Sequence, residues 1–291
     1  MSKRVLGLWN MGEGLFHALL SPDESKDIIR AALDQGINAF DSAFSYKNAD
    51  NYLSAVLKER RIERNSVEII SKVMAVPTLE KKADTSLKRL GTDYVDILLL
   101  HWPSDDASIF ESMKKLERIK HSGKALEIGV SNFPFELLAK TASDFDITYH
   151  ERPLSVLWTK GWDEEKTLGL KTIAYSPLAM GILAKDEAEL KSVQDARKDL
   201  EVFSSRHTQN AISAIGELAD KYGITRKDAA ISWVYKEAPE YIAMGASRKE
   251  HLLNNPVELS EEEMRMLSEI GAKIAAETVS DNIFSHSYLH S

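Results

Sequence analysis

The chain contains no cysteine among its 291 residues. This absence excludes disulfide bonds, zinc–thiolate sites, iron–sulfur clusters and thiol nucleophiles from the protein's chemistry. No apolar stretch approaches the roughly 20 residues that a membrane-spanning helix needs. The first residues, Met1 to Gly7, lack the apolar core of a signal peptide, so we expect a cytoplasmic protein.

Positive charge is also in deficit. Lys and Arg number 37 against 45 Asp and Glu, and the formal net charge is -8 at pH 7 with histidine neutral. A net-acidic surface does not attract polyanions, so we expect neither nucleic acid nor a membrane as a partner. Hydrophobic residues make up 43% and charged residues 28%, a balance that is ordinary for a globular protein and excludes wholesale disorder.

Short apolar runs alternate with helical patterns along the whole chain. The run from Ile97 to Leu100 is apolar without alternation, which is typical of a parallel strand covered by helices on both faces. Ser21, the proline after it and Glu24 predict the start of a helix that Gly36 ends. The predicted strands are Val5 to Trp9, Ile37 to Asp41, Val67 to Lys72, Ile97 to Leu100, Ala125 to Val130, Asp146 to Tyr149, Lys171 to Tyr175 and Tyr241 to Met244.

Eight strands, each followed by helical sequence, predict an α/β fold that closes into one (β/α)8 TIM barrel over residues 1–291. A doubly wound sheet is the competing fold, but it usually has fewer strands and a glycine-rich first turn. Gly12 and Gly14 lack the third glycine and the opening helix of such a turn. Residues 278–291 form a tail that is either a frayed end or a flap over the active site.

Polar side chains at the ends of the predicted strands converge on one mouth of such a barrel. Tyrosine is too weak an acid to work freely near neutral pH, because its ordinary pKa is about 10, and a lysine beside it lowers that pKa. Asp41 is placed to orient Lys72, and His101 to polarise the oxygen that a tyrosine protonates. Carbonyl reduction also needs a hydride from a cofactor, because no side chain can donate one. The candidate catalytic residues are Asp41, Tyr46, Lys72 and His101.

Each of these residues also has an ordinary structural explanation. Asp41 and Lys72 could form a salt bridge that only stabilises the barrel. Tyr46 could lie on the surface, and His101 could be a hydrogen-bonded core histidine. Four compatible side chains at one barrel mouth favour an active site over these separate explanations.

Segments across nearly the whole chain resemble the aldo-keto reductase superfamily. They are Gly36 to Ala43 with Tyr46, Ser71-Lys72, Ser86 to Asp96 leading to His101-Trp102-Pro103, Gly123-Lys124, Ile128 to Phe133, and Ala174 to Leu178 with Gly181 and Leu183. The resemblance implies an NADP(H)-dependent oxidoreductase that interconverts a small-molecule carbonyl (aldehyde, ketone or sugar) and its alcohol. It also implies that the four candidate residues form a catalytic tetrad with Tyr46 as the general acid.

The same resemblance implies a cofactor site. Ser131 and Asn132 match positions that bind the nicotinamide carboxamide, and Tyr175 matches the aromatic residue that stacks on its ring. A hydroxyl and a guanidinium at the start of a short helix suit a 2′-phosphate, which favours NADP(H) over NAD(H). The other matched positions are Ser176, Leu178 and Gly181 on the pyrophosphate side, and Gly245, Ser247, Arg248, His251, Asn254 and Asn255 at the adenosine end.

Two positions depart from the family pattern. Glu151 stands where the family usually has a glutamine that also contacts the carboxamide. A carboxylate accepts from the carboxamide NH2 but cannot donate to its oxygen, so we expect Glu151 to alter cofactor affinity or ring orientation. Lys47 replaces the glycine that commonly follows the tyrosine.

The substrate pocket is predicted to have aromatic walls, which favour apolar or sugar-ring faces without naming a substrate. The candidates are Trp9, Phe44, Trp102 and Trp162. The alternative function is a cofactor-binding regulatory or sensor protein with little turnover, for which the departures at Lys47 and Glu151 leave room. The eight histidines are scattered, and we predict no metal site. A monomer is the default expectation, although the sequence does not determine the oligomeric state.

Overall fold

The computed structural model describes residues 2–12, 19–75 and 77–278. Eight parallel strands pair in chain order, and β8 pairs with β1, which closes the sheet into a barrel. The predicted (β/α)8 architecture is therefore confirmed. The strands are β1 Lys3–Gly7, β2 Ala39–Asp41, β3 Glu68–Val73, β4 Val95–Leu100, β5 Ala125–Ser131, β6 Tyr149–Pro153, β7 Lys171–Tyr175 and β8 Tyr241–Gly245.

Helices surround this barrel. They are α1 Trp9–Gly12, α2 Pro22–Asp34, α3 Ala49–Glu59, α4 Leu79–Leu90, α5 Asp106–His121, α6 Phe135–Asp144, α7 Trp162–Lys166, α8 Glu187–Lys191, α9 Glu201–Ser204, α10 Arg206–Tyr222, α11 Arg226–Lys236 and α12 Glu261–Glu277. The predicted start of α2 is confirmed, since Ser21 and Glu24 form a reciprocal capping box. Among the helices of the described ranges, none has both the length and the apolar composition that a membrane span requires.

The barrel interior is filled at the amino ends of the strands. The rings of Tyr149 and Tyr241, at the starts of β6 and β8, have centroids 6.0 Å apart. The Tyr241 hydroxyl donates to Glu68, and Lys3 forms a salt bridge with the same carboxylate at 2.8 Å. This packing closes the amino end of the barrel and leaves the carboxyl end as the place for a site.

The sixth strand differs most from its prediction. The predicted strand ended at Tyr149, which is the first residue of the observed strand. All five residues of Tyr149–Pro153 are buried, although the three in the middle are polar or charged, so an apolar pattern could not reveal them. His150 and Arg152 bond to Glu165 of α7, outside the barrel. Glu151 points the other way, into the barrel, as the two-residue period of a strand requires.

The single-domain assignment over residues 1–291 stays a prediction, because it includes residues outside the described ranges. The predicted tail lies outside them from residue 279 onward, and so does Gly14.

Candidate active site

A cavity of about 670 Å³ opens at the carboxyl ends of the strands. Asp41, Tyr46 and His101 line it. Lys72 lies behind this wall, 1% exposed, with its ammonium hydrogen-bonded to Asp41. The structure therefore brings the four predicted catalytic side chains together at one barrel mouth.

Lys72 is the centre of a buried charge cluster. Its Nζ donates to Asp41 and to the carbonyl oxygen of Ser42, and lies 3.2 Å from Glu151 Oε1. Burial alone would lower the pKa of Lys72, but the charge and hydrogen bond of Asp41, with a contribution from Glu151 when it is ionised, more than offset burial and raise it. The side chain is therefore an ammonium, and its Nζ lies 5.3 Å from the ring centroid of Tyr46.

His101 is a neutral imidazole. One edge is open to the cavity, yet burial of the ring and then the positive charge of Lys72 lower its pKa well below the ordinary value of 6.5. A neutral imidazole still has one N–H to donate. Because the centroid of its ring lies 5.9 Å from that of Tyr46, a phenol and an imidazole line the same part of the cavity.

The residues predicted to hold the nicotinamide form a hydrogen-bonded set beyond β5 and β7. The Asn132 side-chain amide donates to the carbonyl oxygen of His101 at 2.9 Å and to Ser131 Oγ at 3.0 Å. It accepts from the Tyr175 hydroxyl at 2.7 Å. Asn132 and Tyr175 line the cavity, whereas Ser131 is buried behind it. Asn132 has a φ of 66°, a left-handed conformation that asparagine tolerates better than most residues.

A buried polar network on the outer side of β6 anchors this loop. His150 Nδ1 lies 2.8 Å from Glu165, and its Nε2 accepts from the backbone N–H of Phe133. Arg152 donates to the other Glu165 oxygen at 2.7 Å. Burial would raise the pKa of Glu165, but His150 and Arg152 lower it to about 2. Glu165 is therefore a carboxylate that fixes, through His150, the residue next to Asn132.

The segment predicted for the adenosine end turns around His251. The backbone N–H of Ser247 donates to His251 Nδ1, and the Arg248 guanidinium lies 3.2 Å from Nε2. These three residues and Asn254 line the cavity. Asn255 does not, since it is exposed and its backbone N–H donates to Asp228.

Comparison with known proteins identifies the fold family. The family model described as the Aldo/keto reductase family matches residues 5–272, which is nearly the whole chain. The chain belongs to this family. It is therefore an oxidoreductase, and aldo-keto reductases use NADP(H).

Individual relatives are moderately similar to this aldo-keto reductase. Methylglyoxal reductase DkgB of Salmonella typhi is 28% identical over 272 residues, 88% of this chain and 89% of that protein. Glyoxal reductase of Bacillus subtilis (strain 168) is 31% identical over 176 residues, 57% of this chain and 62% of that protein. The crystal structure of an aldo/keto reductase from Klebsiella pneumoniae in complex with NADP and acetate matches with a TM-score of 0.70 at 23% identity, over 96% of this chain and 93% of that chain.

Two of the four aromatic candidates for the substrate wall of this reductase reach the cavity, namely Trp9 and Trp102. Phe44 packs instead against two cationic side chains of α4. Trp162 begins α7, and its indole N–H donates at 2.7 Å to Glu237, which precedes β8 and so lies toward the amino ends of the strands. The structure thus corrects the assignment of Phe44 and Trp162 to the wall. Aromatic character alone suggested them, and it does not specify which end of the barrel a residue faces.

Sequence reasoning missed the cationic part of the reductase cavity. Lys185 and Arg197 reach the wall from the connection between β7 and α10. Arg197 donates to the carbonyl oxygen of Met180 at 3.2 Å and pairs with Asp195. The only available signal was their position after the matched segment that ends at Leu183, because no periodicity governs an irregular loop. Other wall residues that were not predicted include Asn10, Met74, Glu189 and Lys227.

Two backbone features place Tyr46. A Cβ added to Gly12 would lie 1.9 Å from the carbonyl oxygen of Tyr46, so only glycine allows α1 to approach so closely. Lys47 has a φ of 48°, in the left-handed region that glycine adopts without steric cost. The turn after Tyr46 therefore keeps its left-handed backbone, although lysine stands where glycine would be the most favourable residue.

Proposed function

We propose that this protein reduces the carbonyl of an aldehyde, ketone or sugar, or oxidises the corresponding alcohol, with NADP(H) as its hydride carrier. The observation that carries the proposal is the pair of donors, Tyr46 and His101, that line one cavity beside the buried Lys72 ammonium. Relatives named methylglyoxal reductase and glyoxal reductase support a small carbonyl compound as substrate.

The cavity suits a dinucleotide in size and chemistry. Its volume lies within the range of about 300–1,000 Å³ that is usual for ligand sites. Glu151 Oε2 and Asn254 Oδ1 are buried and have no hydrogen-bond partner among the described residues. Lys185, Arg197 and Arg248 supply positive charge for phosphates. When bound, NADPH would supply the hydride that no side chain can donate.

The residues proposed to hold the cofactor divide among its three parts. Ser131, Asn132, Glu151 and Tyr175 hold the nicotinamide end. Ser176, Leu178, Gly181 and the unpredicted Lys185 and Arg197 hold the pyrophosphate. Gly245, Ser247, Arg248, His251 and Asn254 hold the adenosine end, and Asn255 supports that segment through its backbone.

The Tyr46 hydroxyl acts as the general acid in reduction. It donates its proton to the substrate oxygen, and the Lys72 ammonium stabilises the phenolate that remains. Asp41 keeps Lys72 charged and fixes its direction. Neutral His101 donates its N–H to the same substrate oxygen and so stabilises the charge that develops there. In the oxidative direction, the Tyr46 phenolate takes the proton back.

The test measures NADPH consumption against a panel of aldehydes, ketones and sugars that includes methylglyoxal and glyoxal. We expect Tyr46→Phe to lower kcat by about 10²–10⁴-fold with an unchanged Kd for NADPH. Tyr52→Phe makes the same chemical change on α3, away from the cavity wall, and should retain full activity. Equal rates for Tyr46→Phe and wild type would contradict the mechanism.

The second candidate function is a cofactor-binding regulator or sensor with little turnover. The observation that favours it is Glu151, a carboxyl group within the charge cluster where the family has an amide. Tight NADPH binding without turnover by the wild-type protein across the whole panel would support this candidate. The cytoplasmic location and the monomeric state stay predictions.

A further inference from the structure

We propose that Glu151 sets the preference of this protein between reduced and oxidised cofactor, by exchanging a proton when the charge on the nicotinamide changes. This inference rests on the NADP(H) binding proposed above and concerns a residue in which the chain departs from its family. As the neutral acid, Glu151 replaces the usual glutamine with a group that both donates and accepts a hydrogen bond. As the carboxylate, it favours the positively charged oxidised ring.

The side chain is built into the cavity wall with one oxygen engaged and one available. Glu151 is 2% exposed, and its Oε1 lies 3.2 Å from Lys72 Nζ. Its Oε2 is buried and has no hydrogen-bond partner among the described residues. A buried polar atom without a partner is unfavourable by about 1–3 kcal/mol, which a ligand hydrogen bond would recover. The available oxygen therefore points to a ligand group rather than to a structural role.

Charge balance in the cluster favours a proton on Glu151. Lys72 carries one positive charge, and it is already hydrogen-bonded to Asp41. Ionising Glu151 as well would leave a net negative charge in a buried site, which is unfavourable. Burial raises the pKa of both carboxyl groups, and burial with the Asp41 charge raises that of Glu151 to about 8. The acid form of Glu151 therefore predominates at neutral pH, within reach of its ionisation.

Among the described residues, Asp41 raises the pKa of Glu151 and Lys72 lowers it. Lys72 from β3 and Asp41 from β2 face Glu151, and His150 and Arg152 of its own strand point away toward Glu165. The other titratable or charged groups of the described cavity wall are Tyr46 after β2, His101 after β4, Tyr175 of β7, Lys185, Glu189 and Arg197 after β7, Lys227 of α11, and Arg248 and His251 after β8.

The oxidised nicotinamide ring carries a positive charge and the reduced ring carries none. A positive charge beside Glu151 favours its carboxylate, so binding of NADP⁺ lowers its pKa and releases a proton. By thermodynamic linkage, raising the pH must strengthen NADP⁺ binding relative to NADPH binding. A shift of about one pKa unit corresponds to a tenfold change in the ratio of the two dissociation constants.

The experiment is calorimetric titration of NADP⁺ and of NADPH into the wild-type protein, in pairs of buffers that differ in ionisation enthalpy. The number of protons released with NADPH is subtracted from the number released with NADP⁺. Because both cofactors carry the same 2′-phosphate, its contribution cancels in this difference. We expect more protons to be released with NADP⁺ near pH 7.5. We also expect the ratio of Kd for NADP⁺ to Kd for NADPH to fall by about tenfold between pH 6.5 and pH 9.

Three variants assign the proton. Glu151→Gln should abolish the difference between the cofactors and give a ratio of dissociation constants that does not change with pH. Glu187→Gln removes the same charge from an exposed side chain outside the described cavity wall and should behave as wild type. Tyr46→Phe should also retain the difference. If Glu151→Gln does not fold, a difference that persists in Tyr46→Phe supports the proposal, because the phenol is then excluded as its source.

Other outcomes overturn the inference. Equal proton release with both cofactors, or a difference that persists in Glu151→Gln, would overturn it while leaving the proposed function intact. A difference lost only in Tyr46→Phe would assign the proton to the phenol. Failure of either cofactor to bind would overturn the proposed function and this inference together.

Discussion

The ring centroids of Tyr46 and His101 lie 5.9 Å apart, and the ring planes are inclined at 75°. The two residues come from different strand–helix units, and the barrel brings them together at its mouth. Burial and the positive charge of Lys72 oppose protonation of the imidazole, so His101 stays a neutral donor beside the phenol that is proposed to give up its proton.

Histidine ionisation should therefore leave no trace in the pH profile of carbonyl reduction between about pH 5.5 and 7.5, because the pKa of His101 lies well below its usual value of about 6.5. His101→Ala removes a donor to the developing charge, and we expect kcat to fall by about 10²–10³-fold. His101→Gln retains an N–H donor and should lose much less. An ionisation near pH 6.5 in the wild-type profile of kcat/KM that disappears in His101→Gln would contradict a neutral imidazole.

Loss of the Lys72 charge should cost more stability than loss of the Asp41 charge. Lys72→Met leaves two buried carboxyl groups without a cation, and we expect the free energy of unfolding to fall by about 3–5 kcal/mol. Asp41→Asn leaves Lys72 paired with Glu151, 3.2 Å away, and should cost less than half as much. Urea unfolding measures both. The double variant Asp41→Asn/Glu151→Gln leaves Lys72 without a carboxylate and should lose as much stability as Lys72→Met. Equal losses of stability in Lys72→Met and Asp41→Asn would show that Glu151 does not replace Asp41 as the partner of Lys72.

Gly12→Ala should impair catalysis through the position of Tyr46. The added methyl group would lie 1.9 Å from the Tyr46 carbonyl oxygen, so the loop that carries the general acid must move. We expect a lower kcat with an unchanged Kd for NADPH. Gly123→Ala is the control, because its φ of 76° makes alanine unfavourable while a Cβ there meets nothing within 4 Å. It should lose stability, by about 1–2 kcal/mol, and keep its kcat. A similar kcat loss in both variants would attribute the effect to stability alone.

The Glu165 carboxylate should stabilise the fold in a pH-dependent way. Its folded pKa of about 2 lies below the ordinary value of 4.5, so its contribution is complete above pH 4.5 and is lost as the pH falls toward 2. Glu165→Gln should therefore be less stable than wild type by about 3 kcal/mol at pH 7, with a deficit that shrinks by pH 3.5. Chemical unfolding at both pH values measures it, with the exposed Glu164→Gln as control. A deficit that does not change with pH would rule out the charge as its cause.

Much of this protein was determined by its sequence alone. Buried parallel strands produce apolar runs and surface helices produce a repeat near 3.6 residues, so eight strand–helix units can be counted without a structure. The Ser21–Glu24 capping box and the left-handed Gly36 are local features, and both occur where the sequence predicts them. Because parallel strand ends meet at one mouth, the strand count also brought Asp41, Lys72 and His101 together.

Only the tertiary structure decided the parts that depend on distance through space. β6 is buried although its centre is polar, because the Lys72 ammonium and the Glu165 carboxylate compensate it from distant parts of the chain. The expectation that Glu151 cannot donate a hydrogen bond assumed a carboxylate, whereas burial beside Asp41 raises the pKa of Glu151 to about 8. A protonation state depends on the charges and solvent around a group. Sequence spacing records neither, whereas the folded barrel fixes both.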